Sequence, residues 1–92
     1  HNMKYAIVAK DVCNGHNFVG CSIFEGNLKM ENCRGIKIVS GTLDCSIVID
    51  CNEVNQISGN FISNNYMKIC KISPNTIVKD NFNAEGVWIP KP

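Results

Sequence analysis

Six cysteines, at positions 13, 21, 33, 45, 51 and 70, are the most reactive side chains in this 92-residue chain. An even count in a short chain permits three disulfides. Cys13-x-x-His16 has the spacing of half a zinc site, but zinc wants four ligands and no second C-x-x-C or C-x-x-H follows. Cys45 and Cys51 stand six apart, which is no standard metal spacing, although a disulfide across an irregular corner would suit it. A Cys or Ser nucleophile would need His16 as its base. His16 follows an Asn14-Gly15 turn signal, with nothing nearby to complete a triad. No phosphate-cradling glycine loop precedes a helix. The expectation is a non-enzymatic chain with no catalytic, cofactor-binding or metal-binding residue.

Phe61, Tyr66 and Lys71 carry a different signal. They are spaced by five, each next to an apolar residue (Ile62, Met67, Ile72), and strand alternation would turn them outward. With Trp88 they form the candidate contact surface, because exposed aromatics are enriched at interfaces. The competing reading is that they cover an end of the fold.

The elements that position these residues follow from a longer pattern. Apolar residues recur every five positions at Phe18, Ile23, Leu28, Cys33, Ile38, Leu43 and Val48. They do so again at Ile57, Ile62, Met67, Ile72, Ile77, Phe82 and Val87. Neither a helix nor a flat strand sustains a period of five. A solenoid does, with one short extended side, one core residue and one corner per pentad. Val48 and Ile57 are nine apart, so one corner, near Asp50-Cys51-Asn52-Glu53, is a residue short. Asn, Asp, Ser and Gly crowd around the core positions, as frequent corners require. The expected fold is therefore an all-β, single-domain β-solenoid (β-helix) built on five-residue steps. The alternative is a small β-sandwich or barrel. The domain spans residues 1–92, with a capping strand at 3–10 and coils at 16–89. His1-Asn2 before Met3 reads as a tag remnant.

The ladder residues Ile38, Leu43, Ile57, Ile62, Ile72 and Ile77 are expected to be nearly fully buried. Cys33 holds a ladder position and Cys21 sits two before one, so buried, reduced thiols are favoured over disulfides. That points to a cytoplasmic setting or a phage-infected cell, and no Asn-x-Ser/Thr acceptor opposes it. Net charge is +1 with both signs dispersed, which argues against a nucleic-acid partner. No stretch has the length and apolarity of a membrane span.

The first run, through HNFVG, GNLKM and ENCRG, resembles the pentapeptide-repeat family. It matches at Asn17, Asn27 and Asn32 and at the small residues Cys21, Gly26 and Gly41. That resemblance implies a four-sided β-helix of about four pentads per coil. The second run departs from it, because Asn55, Asn60, Asn65 and Asn75 take the small-residue position. Facing inward, they would have to form a hydrogen-bonded amide ladder. MENCRGIKIVSG, CSIVIDC and SPNTIVKD also resemble the β-helical domain of tubulin-folding cofactor C and the cyclase-associated proteins. Gln56 is followed by Ile57-Ser58-Gly59, so the catalytic arginine of the cofactor members has no counterpart here.

These patterns imply a protein-binding module, either a small intracellular inhibitor or adaptor or, as the alternative, a trimeric spike or fibre domain of a phage or injection device. The second would place it in a virion or extracellular assembly. The apolar Gly86-Val87-Trp88-Ile89 end, stopped by Pro90, implies a homo-oligomer with Trp88 at its interface.

Overall fold

The computed structural model describes residues 7–12, 15–63 and 69–90. It is all-β, a solenoid of stacked parallel coils making about three turns. The strands are β1 (Ile7–Lys10), β2 (Asn17–Val19), β3 (Ser22–Glu31), β4 (Lys37–Val39), β5 (Thr42–Asp50), β6 (Gln56–Ser58), β7 (Phe61–Ile62), β8 (Cys70–Ile72), β9 (Ile77–Lys79), β10 (Phe82–Asn83) and β11 (Gly86–Val87). One sheet runs β2-β4-β6-β9. The other runs β1-β3-β5-β7-β10-β11, with β8 also paired to the long β5. All pairs are parallel except β10–β11.

Register gives the length of a coil. Phe18 pairs with Ile38, Ile38 with Ile57 and Ile57 with Val78, so successive coils take 20, 19 and 21 residues. On the other sheet Ile7, Leu28, Ile47 and Cys70 form one column. These columns are the core. Ile23, Leu28, Ile38, Leu43, Ile47, Ile57 and Ile62 are all fully buried.

Five is odd, so an unbroken extended segment puts residues five apart on opposite faces. The five-residue step holds only where a residue with left-handed backbone turns the chain. From Phe18 to Leu43 every step contains one: Gly20, Glu25, Asn32, Gly35 and Ser40, with φ between 51° and 73°. Glu25 lies in a bulge, where Glu25 and Gly26 oppose the single Cys45 and re-phase β3. β5 has no such residue. Its inward side therefore alternates by two, through Leu43, Cys45, Ile47 and Ile49, and Val48 turns to the outer face, half-buried.

The later ladder fails for the same reason. Gly59 (φ 65°) carries Ile57 to Ile62, both buried. Between Ile72 and Ile77 no residue takes positive φ. Ile72 is half-buried and Ile77 is 43% exposed, which corrects the expectation of burial there. Phe82 and Val87 follow Ile77 outward, and Val78 takes the inward place. Met67 lies outside the described residues.

Corners bend the chain away from the strand ladder, and the backbone N–H groups there need other acceptors. The next coil supplies them. Cys33 N donates to Cys51 Sγ (3.4 Å) and Cys51 N to Ser73 Oγ (3.3 Å). Ile36 N donates to Asn55 Oδ1 (3.0 Å) and Gly41 N to Asn60 Oδ1 (2.9 Å). Asn60 N donates to Asn81 Oδ1 (3.0 Å). The amide nitrogens then donate onward: Asn55 to Cys33 O, Asn60 to Ile38 O and Asn81 Oδ1, and Asn81 to Ile57 O. The amide ladder is thus present at Asn55, Asn60 and Asn81, all buried. Asn75 is not in it. It is exposed and donates to Asn52 O, while Thr76 takes the buried slot. Asn65 lies outside the described residues. Among the described residues no buried side-chain nitrogen or oxygen lacks a partner. Gly41 makes room for this arrangement: a Cβ there would stand 2.3 Å from Cys21 O and 3.3 Å from Asn60 Oδ1.

Candidate interaction surface

Of the four residues expected at a contact surface, the three that are described, Phe61, Lys71 and Trp88, are not brought together. Phe61 is half-buried on β7, its ring 5.5 Å from that of Phe82 at an edge-on 62°. Lys71 is exposed on β8, paired with Val48 on a different run of the same sheet. Seven residues separate Ile62 from Cys70, against three between their partners Leu43 and Ile47, so the spacing of five does not carry Phe61 and Lys71 into one rank. Tyr66 lies in that longer segment, outside the described residues. Trp88 is only 8% exposed and packs on the core, its backbone N–H donating to Asn81 O (2.8 Å). This corrects the expectation of an exposed Trp88. The indole closes part of its own chain's end.

The surface that stays open lies beside it. Among the described residues no coil stacks on the one formed by β8 and β9, and its inward residues Cys70, Ile72 and Val78 are half-buried. With Ser73, Thr76, Ile89 and Pro90 they line a mouth of about 550 Å³. Among the described residues nothing pairs with the far edges of β8 and β9. Ile69, Ile77, Phe82, Val87 and Ile89, all in this last stretch, are 43–77% exposed, whereas Val8, Val19 and Val54 are the large apolar residues exposed elsewhere. Sequence reasoning placed an apolar end here, and Trp88 fits its competing reading, in which it covers an end of the fold. Trp88 is the bulkiest side chain of the segment, and bulk is what the core end takes up.

Cys21, Cys33, Cys45, Cys51 and Cys70 are free thiols, and Cys13 is outside the described residues. Burial, then the charge of Asp44 and the neighbouring Cys70, pushes the Cys45 thiol up to about 12. Burial also raises Cys51 and Cys70. A thiol held protonated is a poor nucleophile and a poor metal ligand. His16 is exposed. Among the described residues no three His, Cys, Asp or Glu side chains converge on a point. No helix among them is long and apolar enough to cross a membrane.

Comparisons of the chain with protein-family models, curated proteins and solved structures give no match.

Proposed function

We propose that this chain is a non-enzymatic protein-binding module that works through the open C-terminal end of its solenoid. The observation that carries the reading is the asymmetry of that end. There the half-covered lumen opens within the stretch 69–90, which carries most of the exposed large apolar residues, whereas free strand edges are found at both ends among the described residues, β1 and β2 as well as β8 and β9. Exposed edges accept extended strands from another chain, with main-chain hydrogen bonds for affinity and side-chain pockets for specificity. The coil of 19–21 residues on the β2-β4-β6-β9 sheet and the small-residue positions support a pentapeptide-repeat-like origin for the fold. The protonated, buried thiols favour a reducing, cytoplasmic setting and the role of a small inhibitor or adaptor.

The test is an immobilised-chain binding assay in native lysate, comparing wild type with Ile77→Lys and with Lys37→Glu on the outer face of the middle coil. Loss of capture in Ile77→Lys alone supports the end as the binding site. Capture that depends on Lys37 and ignores Ile77 would move the function to the shaft.

A further inference from the structure

We infer that the partner at this end is a second copy of the chain, joined through β9 in antiparallel register about Val78; this rests on the reading of the C-terminal end as the binding end. The backbone of β9 selects that register. Ile77 N donates inward to Asn55 O, and Lys79 O accepts inward from Gly59 N. Alternation along the strand then turns the N–H and C=O of Val78 away from β6, toward the open side. Val78 is the only residue of this three-residue strand so oriented. Two copies related by a two-fold axis at Val78 exchange both of those groups as one hydrogen-bonded pair.

The side chains fit the same axis. Ile77 of one copy falls opposite Lys79 of the other, and no lysine faces a lysine. Ile77, 43% exposed, gains cover from the lysine stem, and Val78 meets Val78 over the two open mouths. A net charge of +1 gives the copies little mutual repulsion.

Head-to-tail stacking does not fit this end. β11 crosses β10 antiparallel and Trp88 fills the core beside it, so a parallel coil arriving from another copy would meet a half already closed. β8 is a poorer edge, since Pro74 follows it within two residues. The contact is small, so dissociation is expected at roughly tens to hundreds of micromolar.

Sedimentation equilibrium from about 10 μM to 1 mM tests this, that range bracketing weak association. The wild type should pass from monomer to dimer. Ile77→Lys sets lysines against each other across the axis, and Val78→Pro removes the outward N–H while leaving the inward bonds of Ile77 and Lys79. Both should stay monomeric, with circular dichroism and Trp88 emission unchanged. A wild type that is monomeric throughout, a trimer, or a dimer indifferent to Ile77→Lys would overturn the inference. If the wild type is monomeric but Ile77→Lys abolishes capture of a different protein, the second copy is refuted and the binding end stands. If Ile77→Lys changes neither mass nor capture, both fail.

Discussion

Residues 18–43 and residues 69–90 use the same kinds of amino acid, yet one stretch closes its core and the other leaves it open. In the first, a left-handed residue stands in every five-residue step, and the inward side chains from Ile23 to Leu43 are buried, with only Phe18, on the edge strand β2, left half-buried. In the second, the step from Ile72 to Ile77 lacks such a residue and no further coil follows among the described residues. The difference teaches that burial in a solenoid depends on two separate things: corner geometry, which aims a side chain inward, and a neighbouring coil, which covers it. Ile77 fails the first condition. Val78 meets the first and only half meets the second.

The largest expected effect is at the corners that join coils. Asn60→Ala leaves Gly41 N–H without its acceptor and removes the amide's bonds to Ile38 O, Ser58 O and Asn81 Oδ1. At about 0.5–1.5 kcal/mol per hydrogen bond, the loss of all four should be about 2–6 kcal/mol in urea unfolding. Asn75→Ala, which removes one exposed hydrogen bond, should stay within about 0.5 kcal/mol. Equal losses at the two sites would mean that the amide ladder is not what holds the corners.

Next is the contrast between two ladder positions. Ile62→Ala should cost about 2–5 kcal/mol, and Ile77→Ala about 0.5 kcal/mol or less. A large loss at Ile77 would show that the last coil is packed as tightly as the middle one.

A third measurement follows pH. The Cys45 thiol, fully buried in β5, keeps its proton up to about 12, whereas in the unfolded chain it ionises near 9.0. The unfolded chain therefore binds fewer protons between these values, and stability should be full below pH 9.0 and fall as pH rises toward about 12. Cys45→Ala should flatten the alkaline slope of unfolding free energy relative to wild type. An unchanged slope would mean that other groups set it.

The smallest expected effect is a difference between probes. Trp88 is the sole tryptophan and reports the last coil. Its emission should begin to change at slightly lower urea than the far-ultraviolet signal of the whole solenoid, because end coils have one neighbour and open first. Coincident transitions would make the two regions one cooperative unit.

Much of the fold was legible in the residues. A five-residue apolar period demands a coil with corners, and Asn, Gly, Asp and Ser are the types that corners need. The sequence alone therefore favoured an all-β solenoid over a small sandwich or barrel, placed Ile38, Leu43, Ile57 and Ile62 in its core, and required inward-facing asparagines to form a hydrogen-bonded amide ladder. Tertiary structure decided which asparagines. Asn81 stacks on Asn60, and Asn75 turns out because the 21-residue coil from Gln56 to Ile77 sets Thr76, not Asn75, over Asn55. It also decided where the expected surface residues lie. Phe61 and Lys71 were separated by a longer stretch of chain than their partners in the coil below, and Trp88 was drawn into the core. A period read along one chain records which residues share a phase. It cannot record which coil lies next to which, and exposure in a stacked fold is set by that neighbour.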